Sequence, residues 1–370
     1  MLKSLVLAAL MGASSVLAVD CHRGKKCPKE TPCCSQYGEC GVGAFCLGGC
    51  DPTTSFSLDS CVPAPTCEDK ELKFDSLDNI ADIGKYLGDS SKADWVASGE
   101  PALHDGNVLL TMPKGSVGTV LSSTTYMWYG NVKARMKTSR GRGVVSAFIL
   151  FSDVKDEIDY EFVGVDLGTA QTNYYFHGIP DYENSENITV SDTFGEFHDY
   201  EIRWTPDQIE WLVDGESGRI QKRDETWNKT ASLYEFPQTP ARVQLSLWPG
   251  GLESNPKGTV DWAGGIIDWD HKDIQNVGYF YVEVESVKIE CYKGKDGLGT
   301  SNGKSYCGDS DSGDSGSGSG DAPPSGNNDP SKFDQGLQDG SSGDGDNAGA
   351  KSSASSALAM IIAGCALYWL

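Results

Sequence analysis

Nine of the twelve cysteines fall between Cys21 and Cys67, and that clustering constrains the fold more than any other feature. The spacing runs Cys21, Cys27, Cys33-Cys34, Cys40, Cys46, Cys50 and Cys61. A segment of about forty residues has too little core to fold on apolar burial alone, so cross-links must hold it. Residues 19–62 are therefore expected to form a small disulfide-stapled module, with the pairing left open by spacing alone.

Disulfides need an oxidising compartment, and both ends of the chain agree with one. Lys3 precedes an apolar run at residues 5–10, and small residues then lead to Val16-Leu17-Ala18. Residues 1–18 fit a signal peptide cut after Ala18. At the other end, residues 357–370 are apolar but too short to span a bilayer as a helix. A polar spacer at 350–356 and small residues at Asn347-Ala348-Gly349 precede them. This is the layout of a glycolipid-anchor signal, with Asn347 the expected attachment residue and 348–370 the removed segment. The chain is thus expected in the secretory pathway and then at the outer face of the plasma membrane. Its membrane contact would be the lipid anchor alone.

The net charge of -23 excludes nucleic acid as a partner. Part of that charge is local, since residues 300–347 are rich in Ser, Gly and Asp. Such a stretch buries too little apolar surface to offset chain entropy and is read as a solvated stalk. Asn187-Ile188-Thr189 and Asn228-Lys229-Thr230 are glycosylation acceptors, expected on surface loops. The five histidines are scattered and the cysteines are assigned to disulfides, so no metal site and no cofactor are read. A monomer is expected.

Residues 67–295 read as all-β. Apolar and polar residues alternate with period two, punctuated by Gly, Pro and Asp-Gly turns, and long helical periodicity is absent. Residues 198–204 and 209–213 form two such runs, joined by Thr205-Pro206-Asp207-Gln208. Many strands over more than two hundred residues suggest two packed antiparallel sheets in a jelly-roll sandwich.

One strand carries unusual chemistry. In Asp156-Glu157-Ile158-Asp159-Tyr160-Glu161-Phe162, alternation sends Ile158, Tyr160 and Phe162 to the core and Glu157, Asp159 and Glu161 to the opposite face. Like charges on one strand face repel, so three carboxylates there are costly as mere decoration. A retaining glycosidase uses two carboxyl groups about 5–5.5 Å apart. Residues i and i+4 have Cα atoms about 13 Å apart on a strand, a gap that two converging glutamate side chains largely close. Mutual repulsion would keep one of the three protonated as an acid. In Arg242-Val243-Gln244-Leu245-Ser246-Leu247-Trp248, the odd-numbered apolar residues face the core. Arg242, Gln244, Ser246 and Trp248 make a polar face with a ring, suited to sugar.

Four resemblances extend this reading. The string Cys33-Cys34-Ser35-Gln36-Tyr37-Gly38-Glu39-Cys40-Gly41, with Phe45-Cys46, resembles the hevein-type chitin-binding module. By that resemblance Ser35, Tyr37 and Phe45 would hold N-acetylglucosamine, although Glu39 stands at a family aromatic position. The carboxylate strand resembles the signature of family 16 glycoside hydrolases, which have a concanavalin-like jelly roll. The resemblance makes Glu157 the nucleophile, Glu161 the acid/base and Asp159 the helper. Trp262-Ala263-Gly264-Gly265 and Asp268-Trp269 resemble the acceptor side of plant xyloglucan transglycosylases in that family. Gln244, Trp248, Trp262, Arg242 and His177 are the candidate substrate contacts. The whole layout resembles the fungal Crh family of cell-wall transglycosylases. What that resemblance implies is retaining transfer between chitin and β-1,3- or β-1,6-glucan. A chitin or β-glucan hydrolase and a non-catalytic wall-binding lectin are the alternatives.

Overall fold

The structure is a computed structural model, and it describes residues 19–62 and 65–293. The expected signal peptide, stalk, Asn347 and lipid-anchor segment lie outside the described residues.

In the N-terminal module the cross-links are the core. Cys21 pairs with Cys34, Cys27 with Cys40, Cys33 with Cys46 and Cys50 with Cys61. Each closes a separation of 11 or 13 residues, which removes about 3 kcal/mol of unfolded-chain entropy. Buried sulfurs form two clusters, and Phe45 packs against the second. Regular structure is limited to paired two-residue strands, Cys33–Cys34 and Cys40–Gly41, and two 3-10 turns.

A fifth disulfide, Cys67–Cys291, ties the entry of the larger domain to its last strand, Tyr279–Cys291. The other two cysteines, Cys307 and Cys365, lie outside the described residues.

The larger domain is the expected two-sheet sandwich. One sheet runs, in spatial order, Glu186–Thr189, Thr169–Tyr175, Glu157–Val163, Val144–Ser152, Ala241–Pro249, Thr119–Met127, Trp95–Ser98 and Ile80–Asp82. The second sheet is built around His198–Trp204, Gly130–Lys137 and Tyr279–Cys291. The ladders are antiparallel with one difference from expectation: Ile80–Asp82 pairs parallel to Trp95–Ser98. The intervening segment 83–94 is long enough for the crossover that a parallel pair needs. Among the described residues, α-helix is confined to Lys257–Trp262 and Lys272–Val277.

The alternation in the sequence explains the core. Ile158, Tyr160, Phe162, Val243, Leu245 and Leu247 from the first sheet meet Tyr200, Ile202, Trp204 and Trp211 from the second, all at 0–1% exposure. Tyr160 stacks with Phe148 and Phe162. Buried ring polar groups need partners, and here these bonds join the sheets: Tyr160 donates its O–H to Leu212 O at 2.8 Å, and Trp211 Nε1 donates to Asp159 O at 3.0 Å. The carboxylate strand is thus fixed from behind. Asp214 and Gly215, at φ 52° and 84°, make the expected hairpin turn before Glu216–Lys222.

The two glycosylation acceptors depart from the loop expectation. Asn187 lies exposed on the edge strand Glu186–Thr189, and Asn228 lies on the two-residue strand Trp227–Asn228. An edge strand has only one neighbour and can present an asparagine as openly as a loop does. Asn228 also donates to Glu235 Oε1 at 2.8 Å and accepts from the Thr230 N–H.

Candidate active site

Residues opposite each other in an antiparallel ladder share a face, so the register decides what accompanies each carboxylate. Glu157 lies between Phe151 and Tyr175, Asp159 between Ile149 and Asn173, and Glu161 between Ala147 and Gln171. The rows continue into Ala241–Pro249, where Arg242 is opposite Phe151, Gln244 opposite Ile149, Ser246 opposite Ala147 and Trp248 opposite Val145. The carboxylates and the polar face of Arg242 to Trp248 therefore share one surface, as their alternation predicts.

That surface is sheltered. Glu157 is 6% exposed and Asp159 1%, while Glu161 keeps partial access. Burial is the main cause that pushes all three carboxyl groups up. Repulsion from Asp159 adds to the rise at both glutamates, and Glu161 adds further to that at Glu157. Asp159 is raised from 3.8 to about 7, opposed by the Arg219 charge and the Asn173 N–H. Neither Asp159 oxygen meets a donor in hydrogen-bond geometry. An unsatisfied buried carboxyl costs stability, and groups perturbed in this way cluster at functional sites.

Three neighbours escape a reading of the sequence. Gln171, Asn173 and Tyr175 occupy the next strand, on the same face as the carboxylates. Asn173 Nδ2 donates to Tyr175 Oη at 2.7 Å. Their alternation with Ala170, Thr172 and Tyr174 is visible in the sequence, but only the strand order makes them neighbours of Glu157 and Glu161. Arg219 comes from the other sheet. It is buried, donates to Thr172 O at 2.8 Å and stacks 4.4 Å over the Trp211 ring.

The candidate substrate contacts divide into three groups. Trp248 and Trp262 stand together, with ring centroids 6.0 Å apart and planes at 27°. Trp262 Nε1 donates to Gln171 Oε1 at 2.8 Å, so this pair is fastened beside the Glu161 row. Arg242 and Gln244 share the face but are covered. Both donate to Gln36 Oε1 of the N-terminal module, from Gln244 Nε2 at 3.4 Å. His177 sits at a corner with φ 50°, stacked on Phe176, and its backbone N–H donates to Asp156 Oδ1 at 3.0 Å. Asp156 also accepts from the Gln238 N–H, the Thr239 N–H and Thr239 Oγ1. The first acid of the motif is thus a structural clasp that pins the start of the carboxylate strand.

A jelly-roll sheet with two glutamates and an aspartate on one sheltered face, flanked by paired tryptophans, defines a glycosidase of the two-carboxylate kind. The profile of "Glycosyl hydrolases family 16" matches residues 89–264. Crh-like protein 3 of Botryotinia fuckeliana is 64% identical over 304 residues, covering 82% of this chain and 68% of that protein. Crh-like protein 2 of Aspergillus fumigatus is 54% identical over 309 residues, covering 82% and 70%. Among solved structures, "Crh5 transglycosylase in complex with NAG" matches with a TM-score of 0.53 at 30% identity, over 62% of this chain and 87% of that one. The chain belongs to the Crh-like proteins of glycosyl hydrolase family 16, and it is a glycosidase/transglycosylase with carbohydrate as its substrate.

Proposed function

We propose that this enzyme cleaves a β-glycosidic bond in chitin and transfers the glycosyl unit to β-glucan, with retention of configuration. The observation that carries the reading is the common face of Glu157, Asp159 and Glu161, sheltered enough to keep protons to unusually high pH. Glu161 gives its proton to the departing glycosidic oxygen, and that C–O bond breaks. The Glu157 carboxylate attacks the anomeric carbon and forms a covalent glycosyl-enzyme. Three interacting carboxyls share fewer than three charges. Asp159, whose charge repels that of Glu157, would share a proton with it and so help tune the charge of the nucleophile. Glu161, now a base, takes the proton from an incoming glucan hydroxyl, whose oxygen displaces Glu157. Trp248 and Trp262 favour a sugar over water by stacking at the Glu161 end.

Supporting this substrate class, the similar Crh5 transglycosylase is known in complex with NAG. Ser35, Tyr37 and Phe45 would bind chitin in the module. Secretion through residues 1–18, a stalk at 300–347 and lipid attachment at Asn347 complete the proposed placement at the cell wall, as a monomer.

The test is mass spectrometry of products from chitin oligosaccharides and a fluorescent β-glucan oligosaccharide. Hybrid products are expected, and Glu161→Gln should reduce them by roughly 10²–10⁴-fold. Shortened chitin without hybrids would make the enzyme a hydrolase. Binding without any turnover would make it a lectin.

A further inference from the structure

We propose that the N-terminal module and the catalytic sheet jointly build a glycan subsite. It takes a non-reacting N-acetylglucosamine unit of the same β-linked chain that reaches Glu157 and Glu161. The proposal rests on the reading of chitin as a substrate of this site.

The module is docked by specific contacts. The Gly49 N–H donates to Tyr126 Oη at 2.9 Å and Asp153 Oδ1 at 3.0 Å, and Tyr126 donates to Asp153 at 2.6 Å. Gln36 accepts from Arg242 and Gln244, as above. Gly49 has φ +89°, and a Cβ there would lie 2.6 Å from Arg242 Nη2, so close approach requires glycine.

Docking turns the module's sugar-binding candidates inward. Ser35, Tyr37 and Phe45 form one wall of a small, partly open pocket. Val96, Ser98 and Ser122 of the sheet form the other wall. The sheet wall continues the catalytic rows. Val96 is opposite Ser122, Ser122 opposite Gln244, and Gln244 leads through Ile149 to Asp159. Three strand spacings separate Ser122 from Asp159, about 14 Å, a distance that only a chain of several sugars spans.

The pocket has the chemistry of an acetamido-sugar site. Tyr37 and Phe45 offer rings for the apolar sugar face. Ser35 Oγ accepts from the Glu39 N–H at 3.3 Å and retains its own O–H for donation. Arg242, 6% exposed, also lines the pocket, and its buried Nε has no hydrogen-bond partner. A buried donor without an acceptor is costly, and a sugar hydroxyl or acetamido carbonyl would satisfy it. A module serving only as a tether to bulk chitin has no need to face its ligand surface into the enzyme's own sheet.

The test is calorimetric binding of the N-acetylglucosamine trimer and hexamer to the full chain carrying Glu161→Gln, which prevents turnover. Ser98→Leu and Ser122→Leu fill the pocket from the sheet side. Each should weaken hexamer binding by about tenfold, or 1.4 kcal/mol, and narrow the gap between hexamer and trimer. Gly49→Ala crowds the ends of Arg242 and Gln36 at the docking contact and should give the same loss by a second route. An unfolding temperature within a few degrees of the parent qualifies a variant. Unchanged hexamer affinity in the folded variants overturns the proposal, because a self-sufficient module would ignore the sheet. Loss of binding in the variants upholds the subsite even if the native enzyme makes no chitin–glucan hybrids. That pair of results would retire the transfer reading alone.

Discussion

Replacing Asp159 with asparagine should stabilise the enzyme, and the gain should depend on pH. In the folded chain Asp159 holds its proton to about 7, against an ordinary value of 3.8. The unfolded chain releases that proton first, so between these values the unfolded state binds fewer protons and stability falls as pH rises. At 1.36 kcal/mol per pH unit the full penalty is about 4 kcal/mol, present above pH 7 and absent below about pH 4. Asparagine cannot ionise and escapes the penalty. Asp159→Asn also relieves Glu157 and Glu161, whose raised values owe part of their rise to Asp159, so their contribution has the same sign. A domain of this size shifts its unfolding temperature by about 2–4 °C per kcal/mol. Thermal unfolding by circular dichroism should therefore show near coincidence of the two proteins at pH 4. The variant should then lead by on the order of 10 °C at pH 8. A gap independent of pH, or one that closes as pH rises, would refute the electrostatic argument. Transfer activity should fall in the same variant, since the costly group is the one proposed to tune the nucleophile.

Trp248→Ala should lower the ratio of transfer to hydrolysis by several-fold in the oligosaccharide assay, because water gains on the acceptor when a stacking face is lost; stacking of this kind contributes about 0.5–1.5 kcal/mol. An unchanged ratio would remove Trp248 from the acceptor side. Asp156→Ala should destabilise by about 3 kcal/mol or more, since it strands the Thr239 and Gln238 donors at a buried corner. Its denaturant midpoint should drop, and a wild-type midpoint would show that the clasp is redundant.

Much of the site was legible because strands report their faces directly. Glu157, Asp159 and Glu161 alternate with Ile158, Tyr160 and Phe162, and no tertiary information is needed to place the two sets on opposite sides. The same holds for Arg242, Gln244 and Trp248 against Val243, Leu245 and Leu247. Asp156 shows the limit. It is contiguous with Glu157, Asp159 and Glu161, yet its four bonds to His177, Gln238 and Thr239 come from segments about twenty and eighty residues away. Gln171, Asn173 and Tyr175 were equally hidden, since period-two alternation says which residues share a face but not which strand lies alongside.

The cysteine cluster, the alternating runs and the carboxylate strand by themselves determined a disulfide-held module, an all-β sandwich and a strand with three carboxylates on one face. These follow from local rules: too little core in a short segment, and side chains that alternate along a strand. Only the tertiary structure decided that Gln36 covers Arg242 and Gln244, that Trp262 is fastened to Gln171, and that the module's rings look into the sheet. Those contacts join residues far apart in the chain. They arise from strand order and from the docking that Gly49 permits, neither of which leaves a periodic mark in the sequence.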